Sequence, residues 1–302
     1  MKIDLLRNSQ IDKYRWDKTL KASYNSMVYG FSWYLDIVAP GWSALVSKNY
    51  QFIMPVPFKR KIFFKIALQP YFAQQLGIFS TKKITQDIIN LFFERLSASF
   101  SYVELNMNKV MITEGLPYTF RKNVTFELDL IQPYEGLKQQ YNDNTKRNLK
   151  KCEKNNIYIS EQFSQKQFLN FFKENIDNQL GLLEKKDYKK IAKIIKLHKF
   201  PLFSSLIIFA QVNGTVCAAA FFIKTPDRIF YMFGVSNKLG KETLAMFQII
   251  DYVIRKFSKK NMILDFEGSN IENIARMYKG FGAKPSSYDT LIINHLPFLF
   301  LK

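Results

Sequence analysis

Hydrophobic positions along the chain fall into two spacings that alternate in blocks. Ala44, Leu45 and Val46, then Phe52, Ile53, Met54 and Val56, flank the polar stretch SKNYQ and predict a strand pair. Ile84, Ile88, Leu91, Phe92 and Arg95 lie at helical spacing and predict an amphipathic helix opened by Ser80 or Thr81. IDKYRWDKTLKAS ahead of them reads as a helix, and YVELNM and VTFELDL after them read as alternating strands. The order strand, strand, helix, strand is an α/β pattern.

From about Gln132 that order recurs in outline. PYEGLKQQYNDNTKRNLKKCEKNN predicts a basic helix and IYISEQ a strand, followed by the amphipathic helices SQKQFLNFFKENIDNQL and KDYKKIAKIIKLHKF. SLIIFAQVNGTVCAAAFFI gives two strands about an Asn213-Gly214 turn, and RIFYMFGVS a third. A long helix, KETLAMFQIIDYVIRKFSKKN, the strand MILDFEG, a short helix and the strand YDTLIIN complete the chain. No Pro/Gly/Ser-rich linker separates the halves, so two α/β (α+β) domains are expected to pack tightly, residues 1–130 and 131–302.

Composition narrows the classes. The chain has 302 residues, 47% hydrophobic and 16% aromatic, enough for real cores. No apolar run approaches the roughly 18 residues of a membrane span, and MKIDLLRNSQ places Asp4 and Arg7 where a secretion signal needs apolar residues. Cys152 and Cys217 make no disulfide framework, and His198 and His295 stand in no zinc-ligand spacing. A cytoplasmic protein without a metal is the expectation. The net charge of +19 rests on 35 lysines against 9 arginines. Abundant Lys, Asn, Ile, Phe and Tyr are also what AT-rich coding imposes, so the charge favours an anionic partner without naming one.

The stretch ILDFEGSNIENIARMYKGFGAKP concentrates the candidate chemistry. Asp265 and Glu267 are two apart on a strand and so share a side, at the strand end where open α/β sheets bind ligands. Ser269 or Asn270 suits the N-cap of the helix that follows. Ile271, Ile274, Ala275 and Tyr278 share one helix face. Tyr278 is thus either a core aromatic or a phenol at a cleft rim, able to give a proton to a leaving group. In NTKRNLKKCEK a solvated charged face is the ordinary reading, and Arg147 is the residue whose fork suits a phosphate. Trp33, Tyr34 and Gln74 are candidate substrate contacts in the first domain, where aromatics are more often core. No Ser–His–Asp or Cys–His arrangement is visible.

IARMYKGFGAKP resembles the segment of GNAT acyltransferases in which a helix runs through a tyrosine to a glycine ending. Tyr278 falls on the family tyrosine and Gly282 on the family glycine, while Ala283 stands where the family has Phe. LDFEGSN with MYKGFGA is similar to the FemAB-like branch, in which two GNAT-type domains stand in tandem. NTKRNLKKCEKNNIYIS resembles the basic helix opening its second domain, and YGFSWYLD its aromatic N-terminal segment. The resemblance implies tandem GNAT-like domains that move an activated acyl or aminoacyl group to an amine. Tyr278, Lys279 and Asp265 would be catalytic, and Glu267, Arg147, Trp33, Tyr34 and Gln74 would bind substrate. Lys279 would hold a phosphate or a developing oxyanion in place of the solvated role usual for a lysine.

No resident cofactor is implied. The donor would be an acyl-CoA or an aminoacyl-tRNA, and the acceptor a small-molecule or cell-wall-precursor-like amine. NKLGKETLA has Gly240 alone where GNAT proteins carry a glycine-rich pyrophosphate loop, which weighs against coenzyme A. The alternative is a non-catalytic GNAT-fold protein that binds an anionic nucleic acid or glycan.

Overall fold

The computed structural model describes residues 1–302 except 62, 177–182, 197–202, 269 and 298–302. His198 and Ser269, and the predicted continuations of two helices past residues 176 and 196, lie outside the described residues. The chain divides into two compact units, residues 1–123 with 287–302 and residues 124–286.

In the first unit, β1 (Ile3–Leu6) precedes α1 (Lys13–Ala22) and α2 (Ser32–Val38). The Asp12 carboxylate caps α1 by accepting from Arg15 N at 3.0 Å. The expected strand pair forms β2 (Ser43–Ser47) and β3 (Phe52–Val56), antiparallel, with Leu45 opposite Met54. Next come the hairpin β4 (Phe58–Lys61) and β5 (Phe64–Leu68), then β6 (Phe79–Ser80), α3 (Gln86–Ser97), β7 (Tyr102–Asn106) and β8 (Thr119–Asp129), which belongs from Val124 onward to the second unit. α3 opens later than expected. Ser80 is spent in β6, and Thr85 supplies the cap. Its buried stripe is Ile89, Phe92, Phe93 and Leu96, while Arg95 stays exposed.

In the second unit, the single basic helix expected after Pro133 is two helices, α4 (Tyr134–Gln139) and α5 (Asp143–Lys154). Asn142 breaks them by capping α5, its side chain accepting from Thr145 N. β9 (Tyr158–Ser160), α6 (Gln165–Asn175) and α7 (Lys185–Ile195) lead to β10 (Ser204–Val212), β11 (Thr215–Lys224) and β12 (Arg228–Ser236). Asn213 and Gly214 both have positive φ, as the turn joining β10 to β11 requires. The long helix is likewise divided, into α8 (Lys238–Glu242) and α9 (Ala245–Phe257), by Leu244 at φ +61°. β13 (Ile263–Asp265) and α10 (Glu272–Gly280) follow, and β14 (Lys284–Asn294) begins in this unit but belongs from Ser287 onward to the first.

The second unit's strands lie in the order β8, β13, β12, β11, β10, β9. α9 presses Ile249, Ile250, Val253, Ile254 and Phe257 into its core, each worth about 1.5–3 kcal/mol when fully buried. The Asp251 carboxylate, on the same helix, accepts from the hydroxyls of Tyr134 and Tyr141 and so ties α4 and α5 to α9.

One buried ion cluster fastens three strands. Arg228 at the start of β12 donates to Glu127 of β8 at 2.6 Å and to Asp265 of β13 at 2.9 Å. Asp265 also accepts from the Thr125 hydroxyl at 3.1 Å and from Glu267 N at 3.0 Å. Burial raises the Asp265 carboxyl above its ordinary range, and Arg228 opposes that shift.

Arg228→Gln leaves two carboxylates buried together without their cation, and should cost about 3–5 kcal/mol. Without Arg228 nothing opposes the burial that already raises the Asp265 carboxyl above its unfolded value, so folding favours its protonated form. The loss should therefore be smaller at pH 5 than at pH 7.5, as urea unfolding at the two pH values would show. Cys152 and Cys217 are both buried, and burial pushes the Cys152 thiol up to about 11. Iodoacetamide at pH 8 should label neither cysteine in the native protein and both after unfolding in urea, read by mass spectrometry.

Candidate functional site

β12 pairs antiparallel with β11 along its length, interrupted by a bulge at Met232, which falls between the pairs Phe222↔Tyr231 and Phe221↔Phe233. On its other side β12 pairs with β13 for three residues only, ending at Phe230↔Asp265. β12 then continues to Ser236 while β13 has stopped, so among the described residues no strand pairs with Tyr231 to Ser236 on that side. The two strands part here. Met232 and Phe233 are half-buried and Gly234 is exposed along the opening. A strand edge of this kind offers backbone N–H groups that no ladder uses.

The chain after β13 turns toward β8, where Phe266 N donates to Phe126 O at 2.9 Å. α10 lays Tyr278 over this corner. Its ring stacks on Phe266 with centroids 4.5 Å apart, and the rings of Tyr231 and Phe126 lie 6.2 and 6.3 Å away. Burial raises the Tyr278 phenol well above its ordinary range, and Tyr231 and Glu267 add to the shift. The phenol is protonated at neutral pH, as an ordinary tyrosine is, and burial makes it harder to ionise. Tyr231 donates to Met246 Sδ at 3.1 Å. A Cβ at position 234 would lie 1.8 Å from the Tyr231 hydroxyl, so any side chain there would displace the Tyr231 ring.

Tyr278, Lys279, Asp265 and Glu267 therefore meet around one corner of the second unit. Lys279 is exposed, its ammonium 5.5 Å from the centroid of the Phe126 ring. Asp265 is 1% exposed and already bonded to Arg228, Thr125 and the following loop. Its geometry is that of a positioning residue. Glu267 follows the strand at φ +49°, and Gly268 has φ +59°, so strand alternation ends before Glu267. α10 begins after Asn270, with Ile271 in the N-cap and no side-chain cap, and Gly282 closes it at φ +83°.

The other predicted residues are not part of this corner. Arg147 is exposed on α5. Trp33, Tyr34 and Gln74 belong to the first unit. Tyr34 is fully buried and its hydroxyl donates to Phe72 O, so ring and hydroxyl are both spent inside the core. Trp33 is half-buried and stacks on Phe31. Gln74 accepts from Gln75 Nε2 at 2.9 Å, and its carbonyl from Asn106 Nδ2.

Gly240 has a packing reason: a Cβ there would lie 2.1 Å from the Cys217 carbonyl oxygen. Asn237 caps the short α8, accepting from Gly240 N. Arg228, Tyr231 and Gly234 also belong to this corner, and none of them stands out in the sequence as a candidate. A glycine inside the apolar run RIFYMFGVS was the available signal, since glycine in a strand marks a close approach. Among the described residues no cluster of His, Cys, Asp and Glu could hold a metal ion, and no helix is long and apolar enough to cross a membrane.

No family model and no curated protein matches the chain. Solved structures do. FemX superposes with a TM-score of 0.66 at 11% identity, over 96% of this chain and 97% of that one. The C-terminal domain of a protein named as a lysylphosphatidylglycerol synthetase from Agrobacterium fabrum gives 0.59 at 10% identity, over 95% and 93%. A tandem GNAT protein from the clavulanic acid biosynthesis pathway gives 0.50 at 10% identity, over 98% and 99%. The likeness spans nearly the whole of each chain and is one of architecture: this protein has the tandem GNAT fold, of the FemX type.

Proposed function

We propose that the protein transfers an acyl or aminoacyl group to an amine at the parting of β12 and β13. The observation that carries this reading is the end of the β12–β13 pairing at Phe230 and Asp265, with the Tyr278 ring packed beside Tyr231 just beyond it. The amine attacks the donor's carbonyl carbon, and a backbone N–H of Tyr231–Ser236 holds the oxygen as it becomes negative. When the intermediate collapses, the Tyr278 hydroxyl gives its proton to the leaving group. Lys279 meets negative charge on the donor, and the Glu267 carboxylate accepts the proton that the neutral amine gives up as it attacks. Asp265 acts through Arg228 by holding β13 in place. Arg147, Trp33 and Gln74 are assigned to outlying parts of the substrates.

An aminoacyl-tRNA is the favoured donor. The FemAB-like resemblance supports it, and so do the FemX-type architecture and the excess of positive charge. The acceptor is a small or cell-wall-precursor-like amine. The helix that would face a pyrophosphate is divided at Leu244, with Gly240 packed on β11, which argues against coenzyme A.

Acetyl-CoA at sub-millimolar concentration should leave the Tm unchanged, because ligand stabilisation requires concentrations above Kd. A clear rise would move the assignment to an acetyl-CoA-dependent enzyme. Transfer should be measured by mass spectrometry with aminoacyl-tRNA mixtures and amine acceptors. Tyr278→Phe should keep the Tm within a few degrees and lower the rate about 10²–10⁴-fold. A Tyr278→Phe rate equal to wild type would remove the phenol from the mechanism.

A further inference from the structure

The nine arginines of the chain are unequally employed. Arg121, Arg228, Arg255 and Arg276 each pair with a carboxylate, and Arg15 lies over the Tyr50 ring. Arg7, Arg60, Arg95 and Arg147 have no carboxylate or ring partner among the described residues. Three of those four line one pocket. It lies in the first unit, has a volume of about 960 Å³, and is bounded by Arg7, Arg60, Lys65 and Arg95 with no carboxylate in its lining. Phe58 and Phe100, also in the lining, make an edge-on ring pair at 5.8 Å.

Two details show that the charge is placed there at a cost. Arg60 and Lys65 are direct cross-strand partners on the β4–β5 hairpin, a like-charge pairing that weakens a hairpin unless an anion lies between the two heads. Asn8 lines the same pocket, and its buried Nδ2 has no hydrogen-bond partner, leaving an unused donor beside four cations. Arginine forks suit phosphate oxygens two at a time, and three forks exceed what one carboxylate can accept.

We propose that this pocket binds a ligand carrying clustered phosphates, a site separate from the proposed transfer reaction. The phosphates belong either to a free polyphosphate-bearing molecule or to an anionic phospholipid headgroup. The second source would also employ Phe63, which follows β4 in the hairpin turn and is 93% exposed.

The test uses the full-length protein. Inorganic pyrophosphate and tripolyphosphate are titrated calorimetrically into wild type, an Arg60→Gln/Lys65→Gln double variant, Arg95→Gln, and a charge-matched control, Lys18→Gln/Lys21→Gln, in exposed positions of α1. Circular dichroism confirms that each variant folds. Tripolyphosphate should bind wild type and the control alike, and each pocket variant about ten-fold or more weakly, the loss expected for a charged hydrogen bond. Co-sedimentation with phosphatidylcholine vesicles, with and without cardiolipin, whose headgroup carries two phosphates, separates the sources. Binding that requires cardiolipin, falls in Phe63→Ser and is displaced by tripolyphosphate identifies a headgroup; tripolyphosphate binding with no vesicle binding identifies a free ligand. Equal weakening in the control, or no binding of either probe, overturns the proposal.

Discussion

Everything at the candidate site depends on Arg228 holding Glu127 and Asp265 at the closed end of a pair of strands that open beyond it. Three charged side chains on three neighbouring strands are taken out of water together. Each would be costly alone, and the cluster stays tolerable only because its hydrogen bonds are filled, Asp265 by Thr125 and the backbone of Glu267. A cluster with such exact needs fixes the register of β8, β13 and β12. With the register fixed, the end of the short β13 decides where β12 loses its neighbour.

Tyr278 shows why core and cleft are poor alternatives. Its ring is packed among Phe126, Tyr231 and Phe266 as a core residue would be, and that burial is what raises the phenol above its ordinary range. Desolvation supplies stability through the ring and acidity control through the hydroxyl, from one contact set. Gly234 has the complementary part, since its missing side chain makes room for the Tyr231 hydroxyl.

The charge of the chain divides by residue type. Lysines account for most of the excess and are spread along the sequence, as in Lys146, Lys150, Lys151 and Lys154 of α5. Arginines are few, and most are committed to carboxylates or rings. The three gathered around one pocket of the first unit therefore carry more information than the net charge does.

The sequence by itself determined the local elements: the strand pair about SKNYQ, the Asn213-Gly214 turn, the order of strands and helices in the second half, the Gly282 stop, and the placement of Tyr278 on the buried face of its helix. These follow from side-chain period and from turn chemistry, which act over a few residues. Where a local competitor won, boundaries shifted, as when Asn142 capped α5, Thr85 displaced Ser80, and Leu244 divided the long helix. Tertiary structure alone decided the rest. The Arg228 cluster joins residues 101 and 37 positions apart, β14 falls from Ser287 onward with the first unit, and the arginine pocket draws on positions 7, 60 and 95. No period encodes such meetings, because they are set by which strands pair and in what register, and that is fixed only when the whole core closes.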